Sequence, residues 1–497
     1  MLISKNTKEF LIVLFIVAVS IPLRFTNLGY SELQDDEKKA FYVYKAVGGQ
    51  SPLNFFLNQR KGQIQFFISE IPYSITGDFR NEFAQRFPFA LINLLSVVVL
   101  YKLLLKLTDG DNLAAVFGAL LYSTNGFIVG FSRIAQYQSL NLFFSFLALY
   151  FYSDLVSNPK KLFKSSLLGT LMFCFSLLSH WDAIFYLVPI FYFFAKFIFR
   201  KDLSKQYKIK ITFANFLLGS LVFLPFLIPY FFVQLQLQSN LIYLQKRVGY
   251  SSYDYDLHRL IFDLYNPYIT LPLFSCLIAF SIFYLRKNYM YFLWFVINLL
   301  LIRYFMAKPG THIYNYVVPV VFLITVACST AFSRLSKLTL PIAFIAIITI
   351  TGVLFYQSYF LFVDHSQEYP WDSKDIFYNA TKPYRRKEVL TFGFPHYRNW
   401  KGVNNYINSR KLDCTYISNE GKEVSQIYID VEFGKQESRC YFIIIVTRPF
   451  ISTRDGVAFG EASGKPLLYF YSVRDEQLVK VYKVINGSDK VLSKNPK

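Results

Sequence analysis

Long apolar runs recur along most of this 497-residue chain, and they constrain its fold more than any other feature. Runs of roughly 18 or more residues appear at short intervals between Phe10 and Val363, and each could cross a hydrocarbon core of ~30 Å as a helix. Hydrophobic residues make up 54% of the chain, whereas an ordinary soluble domain has about 45–50%. The sequence therefore predicts a mainly α-helical, polytopic membrane bundle.

About eleven spans are predicted from these runs. They cover residues 10–23, 86–105, 112–131, 138–156, 165–181, 183–199, 211–233, 268–285, 289–306, 313–332 and 338–360. The first is expected to be a retained anchor, because the following IPLRFTNLGY offers no small-residue cleavage site. Lys and Arg gather in alternate short loops, such as FRKDLSKQYKIK at 199–210. Cytoplasmic loops carry such an excess, so we predict a cytoplasmic N-terminus and an extracytoplasmic C-terminal region in the cell (plasma or inner) membrane.

The net charge of +20 is explained by these loops, so no nucleic-acid partner is expected. Two longer loops, 24–85 and 234–267, lie on the predicted outer side. The first contains EKKAFYVYKAV and IQFFISEIPYSI, which are typical of helices lying in the plane of the membrane interface.

Composition changes after about Lys374, where charged residues become frequent. Strand-like runs at EVLTFGF, RCYFIIIVT and PLLYFYSV surround a helix-like NWKGVNNYINSRK. We therefore predict a transmembrane domain over 1–365 and a small soluble extracytoplasmic α/β domain over 366–497. Cys414 and Cys440 share this domain, and the sequence leaves open whether they form one disulfide or remain two thiols.

An acidic cluster follows the first span, with Glu32, Asp35, Asp36 and Glu37 in SELQDDEKKAFYVY. By composition alone, such carboxylates favour a solvated surface. Two other polar segments fall on the same predicted face, namely FSRIAQYQSL, which contains Arg133, and KPGTHIYNYVVP, which opens the tenth span. Acidic and basic groups would therefore meet at one membrane surface.

Over most of residues 8–365 the sequence resembles the GT-C fold glycosyltransferases of the protein O-mannosyltransferase and aminoarabinose transferase type. The resemblance rests on five segments in order: DDE with AFYVY, RFPFALINLLSVVVLYKLLLKL, SRIAQYQSL, LLSHWDAIFY and KPGTHIYNYVVPVV. It implies a polyprenyl-phosphate sugar donor and an inverting transfer at the extracytoplasmic face. In that reaction a carboxylate of the first outer loop removes the acceptor proton while the sugar leaves its lipid phosphate.

The resemblance implies that Asp36 is the general base. Asp35 is the alternative because the run DDE lets the register slip by one, and Glu37 is then a second carboxylate or a hydrogen-bonding neighbour. An acceptor hydroxyl needs a base, whereas a phosphate leaving group needs cations more than a proton donor. Arg133 would face this carboxylate or the donor phosphate, and its alternative is an interfacial arginine with no site role.

Further candidate contacts follow from the same resemblance and the same predicted face. The donor phosphate or lipid would contact Arg133, Lys308, His312, Tyr314, Tyr316 and Arg247. Substrate contacts would come from Gln136, Gln138, His180, Asp182, His258 and Arg259. Each has a plainer explanation, because outer turns and helix ends of membrane proteins need polar residues.

The sequence does not identify the sugar, and it leaves the acceptor open among glycan, lipid and protein. A divalent metal beside Asp35, Asp36 and Glu37 also stays unassigned, since no complete set of protein ligands is visible. The alternative function is a transporter or lipid flippase. Transporters usually place ionisable groups near the middle of the membrane, whereas this acidic cluster lies beyond the end of a span.

Overall fold

The structure, a computed structural model, describes residues 5–41, 51–57, 59, 62–157, 161–234, 242, 245, 248, 265–266, 270–306, 310–336, 338–366, 392–434, 440–447, 449, 462–473 and 476–485. Most of them are helical. The α-helices are α1 Lys5–Phe25, α2 Asp35–Lys38, α3 Pro52–Leu57, α4 Ile64–Thr76, α5 Glu82–Leu107, α6 Asn112–Ser123, α7 Gly126–Ser132, α8 Gln138–Tyr152, α9 Asp154–Ser157, α10 Leu162–Ser179, α11 Leu187–Ile198, α12 Lys205–Pro229, α13 Thr270–Ile282, α14 Leu285–Tyr304, α15 Tyr314–Phe332, α16 Leu340–Phe362, α17 Trp400–Ser409 and α18 Lys422–Tyr428. Short 3-10 turns cover Trp181–Tyr186 and Gly310–Ile313, and a π turn covers Tyr230–Gln234.

A helix lies at every predicted span, but the predicted count of eleven is not confirmed. Among the described residues, seven helices are long and apolar enough to cross a membrane, or eight if the bent pair α6 and α7 forms one span. The helices that fall short are α1, α13 and α14. Helix α13 has only 13 residues. The chain is nevertheless a membrane protein with multiple apolar helices.

The predicted span 112–131 is broken in the structure. Helices α6 and α7 meet at an angle of 60°, and the side chain of Asn125 caps α7 by accepting a hydrogen bond from the Phe127 N–H. Gly126 is required at this break, because a Cβ there would lie 1.4 Å from the Tyr265 carbonyl oxygen. The break directs the following turn, residues 133–137, onto the face where α8 begins.

The C-terminal region contains a four-stranded sheet with the order β1-β2-β4-β3. The strands are β1 Thr415–Ser418, β2 Cys440–Val446, β3 Leu467–Val473 and β4 Glu476–Ile485. Strand β1 pairs with β2 in parallel, and the other pairs are antiparallel. Cys414 and Cys440 form a disulfide beside β2, with a Cα–Cα distance of 4.9 Å, which settles the question that the sequence left open.

The predicted strands at RCYFIIIVT and PLLYFYSV and the helix at NWKGVNNYINSRK are confirmed as β2, β3 and α17. The strand prediction for EVLTFGF is wrong over its described part, residues 392–394, which form a turn. Phe392 and Phe394 are buried there among residues of the helical bundle, so their apolarity reflects contact with the membrane helices rather than with a sheet. Strands β1 and β4 were not predicted.

The first outer loop is enclosed between the helical bundle and the C-terminal sheet. One apolar core contains Leu33 and Phe41 of this loop, Phe89 of α5, Trp400 of α17 and Val479 of β4. IQFFISEIPYSI forms helix α4, as predicted. EKKAFYVYKAV lies partly outside the described residues, and the division of the chain at 365/366 stays a prediction.

Candidate active site

Glu37 forms a fully buried ion pair with Arg86 of α5. The guanidinium binds both carboxylate oxygens, with Nε to Oε1 and Nη2 to Oε2 at 2.8 Å each, and both side chains are at most 2% exposed. The backbone N–H groups of Gln34 and Ala135 donate to the same two oxygens at 2.9 Å each. Four donors therefore occupy the carboxylate, which leaves little acceptor capacity for a substrate proton.

Arg86 also holds the loop that carries the acidic cluster. Its Nη1 and Nη2 donate to backbone carbonyl oxygens at Leu28, Ser31 and Glu32. A guanidinium at the start of α5 therefore fixes both the path of the first outer loop and the orientation of Glu37.

Asp36, the predicted base, has a more accessible carboxylate. It forms an ion pair with Lys39 at 2.7 Å, and its side chain is 26% exposed. An ion pair between neighbours three residues apart on a partly exposed turn is easily exchanged for another partner. The side chain of Asp35 lies outside the described residues, so the choice between Asp35 and Asp36 stays open.

The turn 133–137 connects the acidic loop to a second polar cluster. Arg133 is buried, and its Nη1 and Nη2 donate to the carbonyl oxygens of Leu23 and Thr26 at 3.0 and 2.9 Å. These contacts are with the end of α1, and it is Arg86 that pairs with the acidic loop. Gln136 and Gln138 are buried and hydrogen-bonded to each other, Nε2 to Oε1, at 3.0 Å.

Asp182 is the centre of the second cluster, at the start of the 3-10 turn after α10. Its side chain is 4% exposed and lies between two imidazoles: Nδ1 of His180 is 2.9 Å and Nδ1 of His312 is 2.8 Å from Oδ1. The Tyr314 hydroxyl and the Asn315 amide donate to Oδ2 at 2.9 and 3.1 Å. Two imidazoles therefore share one buried carboxylate.

Tyr137 covers the imidazoles from the side of the acidic loop. Its ring stacks on that of His180 with centroids 3.6 Å apart and planes 11° apart, and its hydroxyl lies 3.3 Å from Nδ1 of His312. Since Ala135, two residues earlier, contacts Glu37, the turn joins the two clusters. Asp182, His180, His312 and Tyr314 thus lie together in one cluster.

The remaining predicted residues divide into two groups. Tyr316 is buried in the core of the bundle rather than grouped around Asp182. Lys308, Arg247, His258 and Arg259 lie outside the described residues, and their roles stay predictions.

Sequence reasoning did not identify Arg86, Tyr137 or Asn315 as site residues. A charged residue at the start of an apolar span, as in FAQRFPF, was the signal for Arg86. The asparagine at position 315 follows His312 by one helical turn, which was the signal for their shared contact with Asp182.

A further acidic contact joins the loop to the C-terminal region. The Glu32 carboxylate accepts hydrogen bonds from the N–H groups of Arg398 and Trp400 at 2.8 and 2.6 Å. Burial raises the pKa of Glu32 to about 8, although the two N–H donors favour the ionised form. Close by, Glu82 accepts a hydrogen bond from the Tyr428 hydroxyl at 2.9 Å and pairs with Lys401 at 2.6 Å.

The His180–Asp182–His312 cluster also has the donor set of a metal site. One ligand atom from each residue lies within 4.8 Å of the others, and two imidazoles with one carboxylate are a common set for Zn²⁺ and related ions. Nδ1 of His180 lies 3.2 Å from the backbone nitrogen of Asp182 and 2.9 Å from a carboxylate oxygen of the same aspartate. Without a proton on Nδ1, its lone pair would face the negative carboxylate at this distance. The contact is therefore satisfied by a cation shared between the two atoms, either a proton or a metal ion.

Comparison with known proteins relates this arrangement to membrane transferases. The family model described as dolichyl-phosphate-mannose-protein mannosyltransferase matches residues 62–229, which include Arg86, Tyr137, His180 and Asp182. No curated protein matches the chain in sequence.

Among solved structures, ArnT from Cupriavidus metallidurans in the apo state matches 94% of this chain and 97% of its own, with 12% identity and a TM-score of 0.54. The same protein bound to undecaprenyl phosphate matches 96% and 98%, with 13% identity and a TM-score of 0.51. The S. cerevisiae protein O-mannosyltransferase Pmt1-Pmt2 complex bound to the sugar donor matches 48% of this chain at 18% identity, with a TM-score of 0.38. The aligned region spans 35% of that yeast chain.

The similarity to ArnT extends over nearly the whole length of both chains. The described chain thus has the fold of ArnT, the GT-C fold.

Proposed function

We propose that the protein transfers a hexose or pentose from a polyprenyl-phosphate donor to an acceptor glycan, lipid or protein at the extracytoplasmic face of the cell membrane, with inversion of the anomeric centre. The observation that carries this proposal is the contact of two polar clusters at one membrane face, within a fold shared with a protein that binds undecaprenyl phosphate. The acidic loop supplies a carboxylate, and the second cluster supplies cationic and hydrogen-bonding groups.

Asp36 acts as the general base in this proposal. Its carboxylate is partly exposed, whereas that of Glu37 is occupied by four donors. Asp36 would take the acceptor hydroxyl proton as the new glycosidic bond forms and the bond between the anomeric carbon and the phosphate oxygen breaks. Lys39, which pairs with Asp36, would favour the ionised carboxylate that a base requires.

The second cluster receives the phosphate leaving group. A lipid phosphate departs as an anion, so protonated imidazoles and hydroxyl donors stabilise its developing charge. His180, His312 and Tyr137 present such groups around Asp182. Asp182 contacts the two imidazoles through their Nδ1 atoms, so it orients the phosphate-binding groups.

We also propose that this cluster, rather than the acidic loop, holds a divalent metal. His180, Asp182 and His312 would be its ligands, and Tyr314 and Asn315 would orient the carboxylate from outside, as outer partners commonly do. Bound there, the metal would supply positive charge for the phosphate. Metal analysis of the purified protein, before and after chelation, tests this proposal against the His312→Ala variant. We expect about one metal per chain in the parent and loss in the variant; no bound metal in the parent would contradict it.

The central test uses purified protein with a panel of polyprenyl-phosphate sugars, and measures release of the lipid phosphate with and without acceptors. We expect one donor to be consumed and Asp36→Asn to abolish its consumption while membrane insertion stays normal. Asp35→Asn, as the matched neighbour, should retain most activity. A reversed result would transfer the role of base to Asp35, and normal activity in both variants would exclude this loop from catalysis.

A further inference from the structure

A cleft opens at the end of the bundle opposite to the His180 cluster, where residues 199–204 connect α11 to α12. Helix α11 packs against α8, α9 and α14, whereas α12 packs mainly along α10. The two helices are therefore held by different neighbours and diverge from their short connection. Between them lies an open cleft of about 920 Å³, which neither the predicted site nor the proposed reaction uses.

The walls of this cleft are apolar and unusually exposed. They include Phe199, Phe213 and Phe216, which are 81%, 62% and 71% exposed. Helix α12 as a whole faces outward, since only 11% of its apolar stretch of 18 residues is buried within the protein. In a chain that spans a membrane, such a surface contacts acyl chains rather than water.

The mouth of the cleft is basic. Arg200 is already paired with Asp202 and also donates to the Leu155 carbonyl oxygen, and Lys208 donates to the carbonyl oxygens of Ile198 and Arg200. Lys201 and Lys205 line the same mouth and are exposed. Within the described part of the chain, no hydrogen bond or ion pair compensates the charge of these two lysines.

We propose that this cleft binds an anionic glycerophospholipid of the adjacent leaflet. Its acyl chains would lie against Phe199, Phe213 and Phe216, and its phosphate would lie between Lys201 and Lys205. A zwitterionic lipid could fill the walls, but it would not neutralise the two lysines. Basic pockets between helices next to the bilayer are suited to acidic head groups, and each lysine near such a surface contributes about 1 kcal/mol.

Native mass spectrometry of the full chain tests the proposal, with phosphatidylglycerol and phosphatidylcholine added separately to protein purified in a neutral detergent. We expect one phosphatidylglycerol to be retained at concentrations at which phosphatidylcholine is not. Two lysines at about 1 kcal/mol each predict an affinity about 30-fold weaker in the K201Q/K205Q double variant. Inorganic phosphate should not displace the lipid, because it lacks acyl chains.

The matched control is R286Q/K287Q, which removes two exposed basic residues from the first turn of α14 at the same end of the bundle. We expect its phosphatidylglycerol affinity to stay within about 2-fold of the parent. An equal loss in both double variants would reduce the effect to general surface charge and overturn the proposal. Equal retention of the two lipids by the parent protein would also overturn it, independently of any variant.

Discussion

Two buried carboxylates at the same membrane face, Glu37 and Asp182, have opposite surroundings. Glu37 binds a permanently charged guanidinium and two backbone N–H groups. Asp182 binds two imidazoles, a phenol and an amide. The partners of Glu37 are fixed hydrogen-bond donors only, whereas the imidazoles beside Asp182 have nitrogens that can also bind a metal.

This difference indicates a structural role for Glu37 and a chemical role for Asp182 within one site. A carboxylate whose acceptor positions are all filled by fixed donors holds the loop in place and has little remaining capacity to accept a proton or a hydrogen bond from a substrate. A carboxylate between two imidazoles can act on a substrate indirectly, through a proton or a metal that the imidazoles bind. Burial alone would have made the two residues look equivalent, and the chemistry of the partners distinguishes them.

Within this comparison of two buried carboxylates, the largest effect is expected from Asp182→Asn, which removes the shared charge and leaves the shape nearly unchanged. We expect turnover of the lipid-linked sugar to fall by about 100-fold or more, because the histidines lose the negative group that orients them toward the phosphate. Asp154→Asn is the matched control. Asp154 is also buried and paired, with Lys106 at 2.6 Å, but at the opposite end of the bundle, so its activity should change by only a few-fold.

The same variant pair can break the comparison. If Asp154→Asn lost as much activity as Asp182→Asn, the loss would reflect general destabilisation of the bundle. Thermal unfolding of both variants in detergent, measured alongside turnover, separates the two causes.

The next effect concerns Glu37→Gln, which leaves the Arg86 guanidinium buried without a compensating charge. Breaking a buried pair from one side is costly, and we expect the free energy of unfolding to fall by about 3 kcal/mol. Lys39→Gln breaks the partly exposed ion pair with Asp36 and should cost less than about 1 kcal/mol. Denaturant unfolding of the detergent-solubilised protein measures both; equal losses would show that the buried pair has no special structural weight.

The sequence predicted the local elements of this site better than their pairing. Apolar runs located each described helix that is long and apolar enough to cross a membrane, although the count of eleven spans is not confirmed, and the outer turns indicated His180, Asp182 and His312. Arg86 and Glu37 are 49 residues apart, and nothing in the local pattern around either of them specifies the other. Pairing at that separation is decided by helix packing, which a single sequence does not display.

Local sequence patterns also did not predict the break between α6 and α7, the strand β4 or the turn at Phe392 and Phe394. Residues 112–131 appear as one apolar span, yet Asn125 caps a new helix and Tyr265, from a distant segment, fits against Gly126. Strand β4 was missed although its VKVYKV alternates in the manner of a half-buried strand. Phe392 and Phe394 were assigned to a strand because apolar residues at a turn and in a strand look alike in a short run.

A smaller effect is expected at Glu32, where the loop meets the C-terminal region. Its pKa is raised by burial from 4.5 to about 8, so the folded state retains a proton that the unfolded state releases. Stability from this group is complete below about pH 4.5 and is lost as pH rises towards 8. Between pH 6 and 7 we expect the free energy of unfolding to fall by about 1 kcal/mol more in the parent than in Glu32→Gln, measured by denaturant titration at each pH. Parallel pH profiles would contradict this expectation.

The smallest effect is expected from Tyr137→Phe, which keeps the ring on His180 and removes the hydroxyl beside His312. A neutral hydrogen bond contributes about 1 kcal/mol, so turnover should fall by about 5-fold. Tyr137→Leu also removes the stacking and should lose more, with a shifted pH profile, because the imidazoles are then less well oriented. If Phe and Leu lost equal activity, the ring would have no positioning role. If Phe lost as much as Asp182→Asn, the hydroxyl itself would belong to the reacting groups, and the division between the two carboxylates would need to include the turn that joins them.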